Sequence, residues 1–444
     1  MKLRFAPAPS GSLHVGNARL AVANWLFARQ HKGSLLLRFD DTDSARVKEA
    51  HVRAIEQDLK WLGLDWDETL RQSERAERYS RVIEALKASG RLYPCFESEL
   101  ELSIKRERRL KAGQPPLYDR EMLSLTPEQR ARAEANGKVP HWRFKLSGAV
   151  RRWDDMVLGP CQVKLTAVSD PILVRADGTI LYTLASLVDD VETAVTHILR
   201  GEDHVTNTGV QLDIAAALGL PEGHFTFGHF PLLVDGEGHK LSKRAGALSL
   251  GTLRKDGLAP LAVVNYLAAL GSSVDPQVLP EDALANQYDI SRISRSPARF
   301  DMGQLLSLNR HLLRTLDYDA ARAFLPEGAG EDFWLAVRGN VELESDVLHW
   351  HDVVSGAFLP PAMAGEKPFL EAAAALLPPE PWSGATWREW TEALKAESGR
   401  KGKALYHPLR LALTGEDSGP ELAALLPLMG RARVLARLGE AGRS

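Results

Sequence analysis

The spacing of apolar positions changes period several times along the chain. Leu3-Arg4-Phe5-Ala6 reads as a short strand. Pro7 and Pro9 then exclude helix and hold the next residues extended. From His14 the period turns helical, through Val15, Ala18, Val22, Trp25, Leu26 and Arg29, with Gly33 as the stop. Ser10 or Ser12 is placed to cap that helix. Ser34-Leu35-Leu36-Leu37-Arg38-Phe39 is largely apolar, as a strand buried on both faces is. Asp40-Asp41-Thr42-Asp43 follows it, and Thr42 or Asp43 is placed to cap a helix running to Trp61. Strand, helix and strand in this order predict a β-α-β unit. In open parallel sheets, ligands bind beyond the carboxyl ends of the strands.

Further on the pattern breaks. After Tyr93-Pro94-Cys95 comes a charged helical stretch, then Gln114-Pro115-Pro116-Leu117-Tyr118-Asp119. Val139 to Leu173 reads as strands; His141-Trp142-Arg143-Phe144-Lys145 alternates clearly and Val163-Lys164-Leu165 weakly. The α/β pattern resumes around Asp170-Pro171, and helix-rich sequence dominates from Leu258. Leu325-Pro326-Glu327-Gly328 and Leu377-Pro378-Pro379 divide that part into helical units.

Composition narrows the class. At 444 residues the chain should form several domains, taking about 150 residues for each. The apolar run near Leu258 to Leu270 is too short and too interrupted to span a bilayer. A strand beginning at Leu3 leaves no room for a signal peptide. Two cysteines, Cys95 and Cys161, argue against a disulfide framework and suit the cytosol, so a cytoplasmic location is expected. The net charge of −3 means that a nucleic-acid partner must be met by local positive surface. Lys105-Arg106-Glu107-Arg108-Arg109-Leu110-Lys111, Arg151-Arg152, Arg310 with Arg314, and Arg400-Lys401-Gly402-Lys403 supply candidates, although about half of such runs are solvated helix faces.

Two segments carry candidate chemistry. In Pro9-Ser10-Gly11-Ser12-Leu13-His14-Val15-Gly16-Asn17, a helix N-terminus after the first parallel strand attracts anions. Gly16 lets a nucleotide approach the backbone, and His14 can donate to a phosphate oxygen. Lys240-Leu241-Ser242-Lys243-Arg244 is a basic loop flanked by Gly236, Gly238 and Gly246, able to close over a triphosphate. Separately these also fit a capped helix and a solvated loop. As an ordered pair they favour an ATP site. Arg4 and Arg200 can each grip a carboxylate bidentately. Arg4 occupies a strand position where a buried charge needs a partner or ligand, and Arg200 could instead pair with Glu202 or Asp203.

These residues are similar to a known family. Arg4 to Gly11, then Leu13-His14-Val15-Gly16, then Arg38-Phe39-Asp40-Asp41-Thr42-Asp43 resembles the opening of the glutamyl-tRNA synthetases. His14-Val15-Gly16-Asn17 and Lys240-Leu241-Ser242-Lys243-Arg244 resemble the two class I signatures. Leu181-Tyr182-Thr183-Leu184, Val188-Asp189-Asp190 and Leu199-Arg200-Gly201-Glu202-Asp203-His204 also fit. The resemblance implies a Rossmann-type α/β catalytic fold in residues 1–95 and 169–225, with an inserted acceptor-binding α/β domain at 96–168. It further implies a stem-contact region carrying the basic loop at 226–300 and all-α anticodon-binding domains at 301–444.

The resemblance implies ATP-dependent ligation of L-glutamate to tRNA through a glutamyl-adenylate. His14, Lys243 and Lys240 would be catalytic. Pro7, Pro9, Gly11, His14, Gly16, Asn17, Leu241, Ser242 and Lys243 would meet ATP and its Mg²⁺. Arg4, Ala6, Ala8, Asp40, Tyr182, Arg200 and His204 would line the glutamate pocket, with Asp40 taking the substrate ammonium. No resident metal and no structural zinc are expected, because Cys95 lacks a nearby cysteine partner. A monomer is expected, dependent on bound tRNA for activation. Ala8 and Asp40 depart from the Ser and Glu that the family usually carries there. The acidic Gly339-Asn340-Val341-Glu342-Leu343-Glu344-Ser345 points to relaxed or altered choice between tRNAs for glutamate and glutamine. Rival readings are a glutaminyl enzyme, a truncated paralogue that glutamylates a tRNA base, a small-molecule adenylating ligase, and a non-catalytic relative. Arg200 argues against the first, the long helical half against the second and third, and His14 with Lys243 against the last.

Overall fold

The computed structural model describes residues 1–42, 47–239, 241, 248–356 and 358–443, and divides into two compact units. One comprises Met1–Leu253 and Val263–Asp301, the other Arg254–Ala262 and Met302–Ser444.

The first unit is built on strands β1 (Lys2–Phe5), β2 (Ser34–Phe39), β3 (Glu68–Arg71), β4 (Leu92–Cys95), β5 (His141–Phe144), β6 (Val150–Asp155), β7 (Gly159–Lys164), β8 (Ile172–Val174), β9 (His197–Gly201) and β10 (Thr226–Phe230). Its helices include α1 (Val15–Gln30), α2 (Glu49–Trp61), α3 (Ala76–Ala88), α4 (Glu99–Lys111), α5 (Pro127–Ala135), α6 (Tyr182–Glu192) and α7 (Val205–Ala217).

Parallel pairing runs in the order β1-β2-β3. On the other side of β1, the Thr196 amide donates to the Lys2 carbonyl at 2.9 Å, which sets β9 beside it. From β9 a second sheet continues to β10, β6 and β7. The chain therefore moves outward from β1 in one direction and then, from β9, in the other. A crevice forms at such a reversal, beyond the carboxyl ends of the two central strands.

Local sequence explains these elements. β2 is buried along Leu35 to Phe39 because helices cover both faces. α1 buries nearly its whole circumference, including Trp25, Leu26 and Phe27. Asp41, expected only as part of an acidic turn, ties the end of β2 to the turn after β3; its carboxylate accepts from the Ser73 amide at 2.7 Å and hydroxyl at 2.8 Å. α2 starts at Glu49 after Lys48, with no side-chain cap, so Thr42 does not cap it; Asp43 lies outside the described residues.

Residues 96–168 contribute α4 and α5, each opened by a capping box, Ser98 with Glu101 and Thr126 with Gln129. Neither helix buries a residue. β5 pairs antiparallel with both β4 and β8. β6 and β7 instead form a hairpin on the edge of the β9–β10 sheet, so this part of residues 96–168 is joined to the α/β core. α7 packs on β7 at Gly209, where an added Cβ would lie 2.4 Å from the Val163 Cβ.

The second unit is helical, from Met302–Thr315 to Arg431–Ala441, around a core that includes Trp334, Trp390, Leu394, Leu409 and Leu438. Within its acidic segment, Glu342 pairs with Arg310 at 2.6 Å and Asp346 accepts the Glu342 and Leu343 amides at 2.9 Å. No helix among the described residues is long and apolar enough to cross a membrane.

Gly209→Ala should destabilise the first unit by roughly 1–3 kcal/mol, the cost of overpacking a tight contact. Val163→Ala in the same chain should recover most of that loss. Thermal unfolding of the single and double variants checks this, and additive losses would mean that the contact is not the cause.

Candidate functional site

The loop from β1 to α1 ends on His14, an extended residue at φ −96°, ψ 163° that caps the helix itself. Its Nδ1 accepts from the Gly16 amide at 3.0 Å and the Asn17 amide at 3.3 Å. Ser10 and Ser12 therefore do not serve as the cap. A neutral imidazole that accepts at Nδ1 carries its proton on Nε2, so that nitrogen is a donor. Gly16 also has a role besides the expected one. A Cβ there would lie 2.8 Å from His14 Cε1, so the glycine makes room for the capping imidazole.

The second signature is tied to the first at its described end. The Val15 amide donates to the Leu248 carbonyl at 3.1 Å, and the Leu250 amide donates to the Leu13 carbonyl at 2.9 Å. His14 and Ser249 thus form an antiparallel bridge. Leu241, from within the basic loop, lines a cavity of about 210 Å³ together with His14, Gly16 and Asn17. Lys240, Ser242 and Lys243 lie outside the described residues.

A second cavity, of about 500 Å³, opens beyond the ends of β1 and β9. Arg4, Ala6, Pro7, Ala8, Asn17, Asp40, Tyr182, Arg200 and His204 all line it, which brings together every residue assigned to the amino-acid pocket. Asn17, Leu20, Gly201 and Asp203 border both cavities, so the two adjoin. Pro9 and Gly11 line neither; Pro9 is buried and its carbonyl faces His51 Nδ1 at 3.3 Å.

Charge is concentrated under the larger cavity. Arg4 and Arg38 are 2 % and 0 % exposed and share Asp190 Oδ1, at 3.2 Å and 2.6 Å. Arg38 also holds Asp40, at 2.6 Å from Nε and 3.3 Å from Nη2. Arg4 is thus an ion-paired residue first, and burial, only partly offset by Asp190, lowers its pKa. Asp40 still borders the cavity, but its carboxylate is already committed to Arg38 on two edges.

Arg200 differs. It is 5 % exposed, and neither Glu202 nor Asp203 pairs with it; among the described residues it has no carboxylate partner. Its neighbours are neutral acceptors: Tyr182 Oη at 2.9 Å from Nη1, Thr208 Oγ1 at 2.6 Å and Gln211 Oε1 at 2.8 Å from Nη2, and His229 Nε2 at 3.3 Å from Nε. Among the described residues four of its five N–H groups are engaged, and one on Nη1 remains. A bidentate grip by Arg200 alone, as expected from the sequence, is therefore not available. The Tyr182 hydroxyl, which accepts from Arg200, still has its own hydrogen to give. Together the two residues can offer a pair of donors to the two oxygens of one carboxylate.

Three arginines are buried here with the carboxylates of Asp40 and Asp190 in direct contact with Arg38 and Arg4, while Arg200 meets the carboxylate of Asp155 only through His229. His204 adds no charge near neutral pH, since burial and the nearby Arg200 lower its pKa to about 4. Its ring lies against Tyr182 with centroids 5.1 Å apart.

Sequence reasoning did not assign roles to Arg38, Thr208, Gln211, His229 or Asp155. Arg38 carried the same signal as Arg4, a charge inside an apolar strand. The partnership of Asp155 with His229 spans 74 residues and leaves no local pattern.

A reversed-order parallel sheet with a crevice at the switch point and a helix capped by its own N-terminal histidine is an architecture of the class I synthetase type. Residues 1–307 match the family model for the catalytic domain of class I tRNA synthetases (E and Q), and residues 362–442 match that for an anticodon binding domain. The chain belongs to the class I tRNA synthetases of the E and Q group. It is 62 % identical to "Glutamate--tRNA ligase 2" of Gluconobacter oxydans, over 99 % of both chains. It is 60 % identical to the protein of the same name from Gluconacetobacter diazotrophicus, over 100 % of both. A crystal structure of a glutamate tRNA ligase from Elizabethkingia meningosepticum in complex with its amino acid has the same fold, with a TM-score of 0.87 at 24 % identity over 99 % of each chain.

The lowered pKa of His204 predicts a stability change on acidification. The unfolded histidine takes up a proton near pH 6.5, whereas the folded one resists until about 4. Stability should therefore be full above about pH 6.5 and fall as pH drops towards 4. In His204→Gln, the fall in melting temperature over that window should be smaller than in the parent chain. Equal slopes would remove His204 from the effect.

Proposed function

We propose that the chain ligates L-glutamate to the 3′ end of tRNA. The glutamate α-carboxylate attacks the α-phosphorus of ATP and pyrophosphate leaves. A hydroxyl of the terminal tRNA ribose then attacks the carbonyl of the mixed anhydride and AMP leaves. Neither step needs a protein nucleophile, so catalysis rests on positioning and on stabilising phosphate charge. His14, Asn17 and Leu241 would border ATP, with Lys243 and Lys240 as mobile charges on its phosphates. Among the described residues no group of three metal-ligating side chains lies on either cavity; Mg²⁺ would therefore be carried by the ATP phosphates. Residues 96–168 would hold the acceptor end and 301–444 the anticodon, in a cytoplasmic monomer.

The observation that carries the choice of amino acid is the donor pair of Arg200 and Tyr182, with no carboxylate in direct contact with Arg200 among the described residues. A glutamate side-chain carboxylate can accept from both donors. A glutamine amide would face them with a donor of its own, which disfavours the glutaminyl alternative. A base-modifying paralogue has no use for the helical second unit. Charging of tRNA for glutamate, and also or instead for glutamine, follows from the acidic Gly339 to Ser345 segment as a proposal.

Arg200→Gln should depress glutamate activation at least tenfold, as loss of a charged hydrogen-bond partner costs about 1.5–3 kcal/mol. The ratio of glutamate to glutamine activation should fall with it. Parallel assays of both amino acids on both purified tRNAs test the assignment, and an unchanged ratio would move the side-chain role to Arg4.

Activation should also require tRNA. Pyrophosphate exchange with ATP and glutamate should stay near background alone and rise when cognate tRNA is added, a population shift towards the competent arrangement. Full exchange without tRNA would favour a small-molecule ligase.

A further inference from the structure

Arg200 is backed by buried groups that no substrate reaches. Asp155, at the end of β6, is 5 % exposed, and His229, on β10, is 0 % exposed. Asp155 Oδ1 accepts three amides: His229 at 2.9 Å, Leu158 at 3.0 Å and Val157 at 3.1 Å. Its Oδ2 accepts from Trp153 Nε1 at 3.2 Å and from His229 Nδ1 at 2.5 Å. Burial pushes this carboxyl up, but the hydrogen bonds from His229 and the backbone outweigh it and hold the pKa at about 2. An ionised carboxylate only accepts, so the imidazole proton sits on Nδ1. Burial lowers the pKa of the ring, and the Arg200 Nε–H facing Nε2 calls for a lone pair there. The Nε2 lone pair is then fixed towards Arg200 Nε at 3.3 Å and the Thr208 hydroxyl at 2.8 Å.

We propose that Asp155 and His229 are positioning residues that fix Arg200 through its Nε and thereby set the preference for a carboxylate over an amide. The inference rests on the reading of Arg200 as the partner of the substrate side chain. With Nε and both Nη2 hydrogens committed, the guanidinium cannot rotate, and its one spare N–H stays beside the Tyr182 hydroxyl. The tautomer of His229 is what allows this. Were the proton on Nε2, two N–H groups would face each other and Arg200 would lose its anchor. Asp155, which selects the tautomer, thus acts on specificity without touching substrate.

Asp155→Asn tests the tautomer. The amide oxygen can keep the backbone donors, but the amide nitrogen then points at His229 Nδ1 and drives the proton to Nε2. His229→Asn tests the anchor, since it can keep the bond to Asp155 while losing the acceptor for Arg200. A contact to the substrate side chain acts equally in ground and transition states, so its loss appears in KM. In full-chain aminoacylation with tRNA, both variants should raise the glutamate KM roughly tenfold, the weakening of one charged hydrogen bond. The ATP KM should change by less than about twofold, because its cavity is untouched. Discrimination against glutamine should fall in proportion. If Asp155→Asn does not fold, as read by circular dichroism, His229→Asn decides alone. Glutamate and ATP KM values rising together, or a fall in kcat alone, would overturn the proposal, as would no change. A shifted amino-acid ratio in Arg200→Gln with none in these two variants would sink the relay while the Arg200 reading stands. No shift in any of the three would sink both.

Discussion

The structure of the site depends on burying three arginines with two aspartates. Arg4, Arg38 and Arg200 project from β1, β2 and β9, which neighbour one another around the point where the strand order reverses. Buried guanidinium groups are tolerated only when paired or fully hydrogen-bonded. Asp190, delivered by α6, serves two of them at once. Arg200 is satisfied differently, by four neutral acceptors. This arrangement holds Arg200 in place with its nearest carboxylate, Asp155, one imidazole away. An anion entering the cavity meets a positive centre that has already been desolvated and oriented during folding, which is how a preorganised site gains selectivity.

A second constraint operates at the neighbouring cavity. The same imidazole cannot cap α1 and accept from a ligand, because its Nδ1 lone pair is used by Gly16 and Asn17. Capping fixes the other nitrogen as a donor. Local helix chemistry therefore determines the polarity that His14 offers to a ligand. The backbone bonds between Leu13–Val15 and Leu248–Leu250 then place the exit of the basic loop against this cap. Separation in sequence is overcome by ordinary strand-like pairing.

Much of this was legible in the sequence and some of it was not. β1, α1 and β2 follow from local periodicity and proline placement, which are short-range signals. The seven residues that the resemblance assigned to an amino-acid pocket all line one cavity. The partners of those residues were not legible. Arg4 reads as a ligand group because its counter-ion, Asp190, is 186 residues away. Gly16 reads as an opening for a nucleotide because nothing in the sequence indicates that His14 folds back over it. The hairpin β6–β7 lies in sequence next to inserted helices, but hydrogen-bonds into the core sheet. Arg4 and the hairpin share one origin, since long-range pairing leaves no periodic trace, whereas the His14 cap over Gly16 is a local contact decided by side-chain conformation.

Asp40 illustrates how the cluster constrains a substrate. A carboxylate has about four lone-pair sites, and Arg38 uses two of those on Asp40. The remaining ones can face the cavity that Asp40 lines. A shorter aspartate in place of the usual glutamate is held close to Arg38 rather than reaching outward. In the proposed complex the substrate ammonium would then sit near the paired Asp40, the side-chain carboxylate near Arg200 and Tyr182, and the α-carboxylate towards the shared border at Asn17, Gly201 and Asp203. That border adjoins the cavity lined by His14, so the nucleophilic carboxylate would lie on the side where ATP is proposed to bind. An amino acid lacking the side-chain carboxylate would leave the Arg200 and Tyr182 donors without the acceptor pair they face.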